Sequence, residues 1–331
     1  MNKSVRVILF AAATVMAAFL LFFVISAQKA ADEEVIPEAG TAANSGAPAK
    51  YLSVGGKEYP LKRRMETVLV IGTDNFNDNE AADSGIVSFY NFDQADFIAV
   101  LAFSEDEKSV TPFQINRDTM CSVPWLGVNG IVGGHSFEQI ALAHTYGSGR
   151  EDSCENTANA VSNLLFGTPI DHYIAFTMDA VPVLNDLVGG VTVTLEDDLL
   201  TLGEEHVKGA EVTLHGKDAL RFVRQRDILI DDSNITRMKN QRMYLAGFTD
   251  AAREAAAKNP NLAVDAFKAV DGFICTDMTA NTISELVDKL VSYSVAPVIS
   301  PAGEVKLGAE FAEFYADEKD LQKCVKNAFC N

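Results

Sequence analysis

The segment Gln94–Asp118, QADFIAVLAFSEDEKSVTPFQINRD, carries a clear structural pattern. Two apolar runs, Phe97–Phe103 and Val110–Ile115, flank the short polar stretch Ser104–Lys108. Runs of this kind, joined by a few polar residues, are typical of antiparallel neighbouring strands. Upstream, Thr67–Ile71 is a short apolar run of the type that forms a buried strand. The sequence therefore predicts a sheet that contains at least one antiparallel hairpin.

Strands and helices alternate after this segment. Two further runs are predicted as strands, His172–Phe176 and Val191–Leu195. Periodic segments are predicted as helices: Thr157–Leu165, Asp179–Leu187, Lys217–Phe222, Thr236–Lys258, Thr282–Tyr293 and Glu318–Phe329. Alternation of this kind favours an α/β fold, here a single mixed central sheet with helices on both faces. Ahead of the sheet, residues 51–66 contain a hairpin signal around Gly55-Gly56.

The first 50 residues differ in composition from the rest. Val7–Ile25 has no charged residue, and its nineteen residues at about 1.5 Å each nearly span the roughly 30 Å core of a bilayer. Basic residues precede this segment and acidic residues follow it, which predicts a cytoplasmic tip at 1–6, a transmembrane helix at 7–25 and the rest of the chain outside the cell. Residues 26–50 predict a flexible stalk. A cleaved signal peptide is the alternative.

Composition restricts the partners. The 331 residues include 27 Lys and Arg against 46 Asp and Glu, a formal net charge of −19. This balance argues against nucleic acid as a partner, because phosphate contacts need clustered basic residues. The chain has no P-loop, which argues against ATP. No second linker is apparent, so residues 67–331 are predicted as one domain with a core at 67–245 and helices at 251–331.

One basic window contrasts with this acidity. Arg221–Arg242, RFVRQRDILIDDSNITRMKNQR, contains six of the 27 basic residues. Arg224 and Arg226 would share a face in extended backbone, and Arg237 and Gln241 would share a face of a helix. Guanidinium groups match phosphate oxygens in geometry, so a phosphate site is predicted. The alternative is a solvated surface that nearby aspartates neutralise.

Carboxylates occur at the ends of the predicted strands. Asp74 follows the run VLVIGT, Asp96 begins the next strand, and Arg117-Asp118 ends the one after it. Two carboxylates and an arginine at one sheet edge suit a complex of Mg²⁺ with pyrophosphate. Each aspartate taken singly also fits a cap or a turn.

Five cysteines would lie outside the cell, where disulfides can form. The first predicted pair is Cys121 with Cys154. The second is Cys275 with either Cys324 or Cys330. None of them is arranged as a zinc site.

Six segments in order resemble the LytR-CpsA-Psr family of bacterial cell-envelope proteins, over Thr67–Leu245. The segments are VLVIGTD, QADF, INRDTM, QIALAHTYGSG, PIDHYIAFTMDAVPVLNDLVGGVTV, and KDALRFVRQR with NITRMKNQR. The resemblance implies a membrane-anchored phosphotransferase outside the cell. It would move a glycopolymer, such as teichoic acid or capsule, from a polyprenyl-pyrophosphate lipid to a peptidoglycan hydroxyl. Pyrophosphate hydrolysis would be a side activity.

The resemblance also implies roles for single residues. Asp74 and Asp96 would hold Mg²⁺, and Asp118 would orient Arg117 or act as a base. The pyrophosphate would be bound by Arg117, Arg224, Arg226, Arg237 and Gln241. An apolar channel for the lipid would lie between the sheet and the helices, lined by parts of Phe176–Leu187 and Leu220–Phe222.

Three positions that are cationic in the family are neutral here. They are Gln94, Gln139 and Asn240. Arg221, Lys239 or Arg242 could compensate for them. The loss also motivates an alternative function, a non-catalytic binder of lipid-linked glycans of the envelope.

Overall fold

The computed structural model describes residues 51–74, 91, 93–127, 130–198, 206–225, 233–259, 262–308 and 311–331. Within them the strands are β1 Tyr51–Val54, β2 Lys57–Pro60, β3 Met65–Thr73, β4 Ala95–Ser104, β5 Ser109–Ile115, β6 Met120–Leu126, β7 Val132–Gln139, β8 His172–Thr177, β9 Val191–Thr194, β10 Glu211–Leu214, β11 Ile274–Thr276, β12 Ser294–Val295, β13 Gly303–Leu307 and β14 Ala312–Ala316. The α-helices are α1 Glu151–Leu164, α2 Ala180–Leu187, α3 Lys217–Arg224, α4 Ser233–Lys258, α5 Leu262–Val270, α6 Ala280–Ser292 and α7 Glu318–Phe329. Short 3₁₀ helices lie at Ile140–Thr145 and Asp271–Phe273.

Six strands form the central sheet in the order β11, β8, β3, β4, β5, β12. β4 pairs antiparallel with both β3 and β5, which confirms the predicted hairpin around the SEDEK stretch. β8 runs parallel to β3, and β12 runs parallel to β5. The sheet is therefore mixed, as predicted.

Helices cover both faces of this sheet because its strands are apolar on both sides. Successive residues of a strand point to opposite faces. Leu69 and Ile71 lie in a core that α1 and α7 cover, whereas Val68 and Val70 lie in a second core covered by α6. Burying each of these side chains stabilises the fold by about 1.5–3 kcal/mol. The prediction of a two-sided α/β fold is confirmed.

Several parts of the architecture differ from the sequence prediction, and two of them bear on the site. β9 pairs with β10 in a separate two-stranded sheet, packed on α4, instead of joining the central sheet. β6 and β7 form a hairpin that was not predicted. Its close packing depends on glycine, because a Cβ at Gly133 would lie 2.1 Å from the ring of Trp125.

All five cysteines lie among the described residues, and all are free thiols. The predicted Cys121–Cys154 disulfide is therefore absent from the structure. Cys154 instead has its side chain against that of Cys275. Cys275 reaches α1 because α1 packs against β8, and β8 pairs with β11, which carries Cys275. The predicted pairing of Cys275 with Cys324 or Cys330 is likewise absent from the structure.

The predicted transmembrane helix at 7–25 and the stalk at 26–50 lie outside the described residues. No helix within the described ranges is long and apolar enough to cross a membrane.

Candidate functional site

Three strand ends bring the predicted carboxylates to one edge of the sheet. Asp74 directly follows β3, and Asp96 is the second residue of β4. The end of β3 and the start of β4 are adjacent, since Thr73 pairs with Ala95. Arg117 and Asp118 follow β5 at the same edge.

A buried charge cluster has Asp96 at its centre. Both Arg117 and Arg237 donate hydrogen bonds to its Oδ1, the latter through Nη1 at 3.1 Å. Arg237 also donates from Nη2 to the carbonyl oxygen of Asp96 at 3.3 Å. All three side chains are nearly inaccessible, with Arg237 only 2% exposed. Charges at this depth persist only when they are paired and hydrogen-bonded, which these are.

Two asparagines support the arginines of this cluster. Asn234 accepts a hydrogen bond from Nη2 of Arg237 at 2.5 Å and donates to Oδ1 of Asn116. The same Oδ1 accepts from the backbone N–H of Asp118 at 3.0 Å. Neither asparagine was singled out from the sequence. Their positions in the sequence could have predicted this role, because Asn116 precedes Arg117 and Asn234 lies one helical turn before Arg237.

Asp118 lies beside Arg117 beneath a covering hairpin. Its Oδ1 is 3.3 Å from Nε of Arg117 and 3.4 Å from Nε2 of Gln139. Gln139 in turn donates to the carbonyl oxygen of Ala312 in β14 at 2.7 Å. Through Gln139, the β13–β14 hairpin thus packs against the site beside Asp118.

A second ion pair is exposed. Nη2 of Arg224 donates to Oδ1 of Asp74 at 2.6 Å, and both side chains are more than 40% exposed. Arg224 is the last residue of α3, so it does not have the extended backbone that was assumed for it and Arg226. Arg226 lies outside the described residues. Gln241 is buried on α4, one turn after Arg237, and its Nε2 is 3.4 Å from the carbonyl oxygen of Val223.

The three neutral positions take up local roles. Gln94 accepts a hydrogen bond from Nη2 of Arg117. Gln139 bridges Asp118 and β14, as described above. Asn240 is buried, and its Nδ2 has no hydrogen-bond partner among the described residues.

The neighbouring basic residues have other partners. Lys239 lies 2.6 Å from Asp197 and 3.0 Å from Glu196, and the hydrogen bond to Asp197 raises the pKa of Lys239. Arg221 pairs with Asp218 on the surface of α3 at 3.3 Å. Arg242 donates to the carbonyl oxygen of Met238 at 3.3 Å, and burial lowers its pKa. Arg221 and Lys239 are thus each paired with an acidic neighbour, whereas Arg242 has no such partner in the part of the chain that the structure describes.

An apolar cavity of about 120 Å³ adjoins these groups. It lies between the sheet and the helices α2, α3 and α4. The lining residues that matter most here are Gly72, Phe97, Phe176, Leu184, Val223 and Gln241. Phe97 is next to Asp96, and Val223 is next to Arg224. The cavity therefore reaches the charged edge from the interior of the protein.

The described charged residues of the site have a net formal charge of zero. Asp74, Asp96 and Asp118 contribute three negative charges, against three positive charges on the arginines that they contact. No group of three or more His, Cys, Asp and Glu side chains within the described ranges is suited to a metal ion. The two carboxylates predicted to hold Mg²⁺ are Asp74 and Asp96, and this ion is commonly held by one or two carboxylates together with substrate phosphates.

Comparison with known proteins adds a second line of observation. The sequence profile of the LytR_cpsA_psr family matches residues 22–324. A relative from Bacillus licheniformis, the polyisoprenyl-teichoic acid–peptidoglycan teichoic acid transferase TagU, is 26% identical over 242 residues. These residues are 69% of this chain and 74% of that protein.

Solved structures share the fold. B. subtilis TagV is 20% identical with a TM-score of 0.58, over 81% of this chain and 96% of that one. TagT bound to LI-WTA is 19% identical with a TM-score of 0.57, over 84% of this chain and 98% of that one. The mixed α/β architecture with its central sheet is thus common to all three.

Proposed function

Because the chain belongs to the LytR-CpsA-Psr family, we propose that it transfers a glycopolymer from a polyprenyl-pyrophosphate carrier to a hydroxyl of peptidoglycan. The enzyme would act at the outer face of the membrane, held there by the segment 7–25. The relative from B. licheniformis is named a teichoic acid transferase acting on peptidoglycan. TagT, which has the same fold, is bound to LI-WTA.

One observation carries the proposal, namely that Phe97 and Val223, which line the apolar cavity, are next in sequence to the charged residues Asp96 and Arg224. A prenyl pyrophosphate joins an apolar chain directly to a polyanionic head. The site offers the matching arrangement: Phe97 and Val223 line the apolar interior, and the charged residue next to each of them in the sequence belongs to the site. A small number of convergent polar groups at the mouth of an apolar pocket is typical of ligand sites. The cavity is smaller than the roughly 300–1,000 Å³ of common ligand pockets, so a long prenyl chain requires its lining to move apart.

The arginines would bind the pyrophosphate and neutralise charge during transfer. Phosphoryl transfer depends mainly on positioning and on electrostatic stabilisation. Arg117 and Arg224 approach from opposite sides of the strand ends, and Gln241 would contact the head from the cavity side. Arg237 would act from below, where Asn234 and Asp96 hold its guanidinium plane. Arg226 would complete the set.

The reaction itself is a displacement at phosphorus. The oxygen of the acceptor hydroxyl attacks the phosphorus that carries the sugar, and the bond from that phosphorus to the bridging oxygen breaks. Polyprenyl phosphate leaves, and the new linkage is a phosphodiester. Asp118 either accepts the hydroxyl proton or keeps Arg117 oriented through its contact with Nε.

Mg²⁺ would supply the charge that the described residues lack. The site is balanced without ligand, so a pyrophosphate adds negative charge that the three arginines already share with aspartates. Asp74 and Asp96 are the residues that would hold the ion, together with phosphate oxygens. When bound, the ion would neutralise charge on the departing phosphate.

The test uses the full-length protein in detergent, a synthetic prenyl-pyrophosphate disaccharide and peptidoglycan fragments. We expect an acceptor-linked phosphodiester, identified by mass spectrometry, that forms with Mg²⁺ and not with EDTA. Arg117→Ala and Arg224→Ala should each lower turnover at least tenfold. Arg221→Ala is the matched control, since this exposed arginine of α3 pairs only with Asp218 on its own helix. Tight donor binding without product under any condition would favour the non-catalytic binder instead.

A further inference from the structure

A pair of buried cysteines lies outside the arginine cluster. Cys154 is the fourth residue of α1 and is fully buried, and Cys275 is the middle residue of β11 and is 5% exposed. The two side chains are in hydrogen-bonding contact. Both belong to the core on the α1 face of the sheet. About 120 residues separate them in the sequence, so the fold alone brings them together.

The register of the sheet explains the contact. Cys275 pairs with Ala175 of β8, and Ala175 pairs with Ile71 of β3. Residues paired across a sheet point to the same face, and all three belong to the core beneath α1. Cys154 projects into this core from the first turn of α1. The contact between helix α1 and strand β11 therefore includes the side chains of both cysteines.

A histidine stands beside the pair. Nδ1 of His144 lies 3.0 Å from the carbonyl oxygen of Asp93, which can only accept, so Nδ1 carries the proton. Nε2 then has its lone pair towards Sγ of Cys154, at 3.8 Å. Burial lowers the pKa of His144 to about 4, so the ring is neutral. A hydrogen bond between the two thiols lowers the pKa of Cys275.

We propose that Cys154 and Cys275 are joined by a disulfide bond in the folded protein outside the cell. The oxidant would be another disulfide, carried by a small thiol or by a thiol–disulfide oxidoreductase. The Cys275 thiolate attacks one sulfur of it and forms a mixed disulfide, and one thiol of the oxidant leaves. Cys154 then displaces the second thiol, and the proton of Cys154 passes to that departing sulfur. Two S–H bonds break and one S–S bond forms, while the oxidant is reduced to two thiols.

The cross-link would act on the fold rather than on the transfer reaction. It would close a loop that contains the basic window and all of α4. A bond across a loop of this length stabilises mainly by restricting the unfolded chain. It would also tie an edge strand of only three residues to the helix layer. The inference rests on the proposed location outside the cell but not on the proposed transfer reaction.

Peptide mapping tests the bond directly. Full-length protein, purified from membranes without reductant, is alkylated in urea and digested with trypsin. We expect the peptide 151–208 linked to the peptide 269–289, with separation after reduction. Cys121, Cys324 and Cys330 should all carry the alkyl group. Complete alkylation of all five cysteines, or a link from Cys154 to Cys121, would overturn the proposal.

Thermal unfolding gives an independent readout. Reductant should lower the Tm of the wild-type protein by roughly 5–15 °C. Cys154→Ala and Cys275→Ala should unfold at a lower temperature and no longer respond to reductant. Cys324→Ala is the control, because this partly exposed residue should leave both the Tm and the response unchanged. If the variants of Cys154 and Cys275 fail to fold, the effect of reductant on the wild-type Tm and the peptide map still test whether the bond is present. A wild-type Tm that is insensitive to reductant contradicts the bond.

Discussion

Two arginines of the site illustrate how burial changes what a charge does. Arg237 is enclosed and shares the Asp96 carboxylate with Arg117, whereas Arg224 meets Asp74 at the surface. A buried charge that loses its partner is left uncompensated, but an exposed one is solvated by water. The same residue type is therefore expected to contribute more to stability at position 237 than at position 224.

We expect this difference to appear in a pair of variants. Arg237→Met should lower the free energy of unfolding by about 3–5 kcal/mol, because it leaves Asp96 and Asn234 short of a buried donor. Arg224→Met should lower it by less than about 1 kcal/mol. Both should weaken binding of a prenyl pyrophosphate. Urea denaturation and calorimetric titration measure the two effects, and equal losses of stability would contradict the assignment.

The sequence identified the charged residues but not how they pair. Order along the chain sufficed to place Asp74, Asp96 and Arg117 at strand ends. It did not show that Asp96 would receive two guanidinium groups, since Arg237 is 141 residues away. The extended backbone assumed for Arg224 was wrong because α3 continues two residues beyond the predicted Phe222.

At the scale of secondary-structure elements, the position of α4 depends on one close contact with β9. A Cβ at Gly247 would lie 2.0 Å from the carbonyl oxygen of Thr192 in β9. The absence of a side chain therefore lets the helix approach the β9–β10 hairpin, which supports the third core under Phe222 and Phe248. The position of α4 also sets the positions of Arg237 and Gln241.

Gly247→Ala should consequently destabilise the protein. Alanine favours a helix over glycine by about 1 kcal/mol, but the clash with backbone should cost more, leaving a net loss of about 1–3 kcal/mol. Gly272→Ala is the matched control, since a Cβ there meets nothing within 4 Å. Circular dichroism melts of both variants check this. A Tm for Gly247→Ala at or above that of the wild type would disprove the close contact.

Elements were predicted well where the apolar pattern is strong. Helix α7 has the predicted bounds, Glu318–Phe329. The β6–β7 hairpin was missed because β7 begins with Val132, Gly133 and Gly134 and exposes Phe137, so it lacks a buried apolar face. Its stability comes instead from Trp125 packing on the glycines, which is a tertiary effect.

At the scale of the whole molecule, one buried imidazole should make stability depend on pH. The pKa of His144 is about 4 in the folded protein, against about 6.5 when unfolded. Between these values the unfolded chain binds more protons, so stability is full above about pH 6.5 and is lost as the pH falls towards 4.

This residue should lower the free energy of unfolding by about 2 kcal/mol between pH 7 and pH 5. Urea midpoints across this range measure the change, and His144→Gln should reduce the slope. An NMR titration provides a check that does not need the variant, because the His144 ring should remain neutral down to pH 5. Protonation of that ring near pH 6.5 in the folded protein would refute the expectation.

The edges of the central sheet have a consequence for the solubility of the protein. The inner strands β3 and β4 have nine and ten residues, yet the sheet ends in β11 with three residues and β12 with two. An open strand edge is a template on which a second chain can add and start cross-β growth. Edges this short expose few backbone groups to a neighbour. The sheet should therefore resist aggregation by strand addition, even when many copies are crowded together.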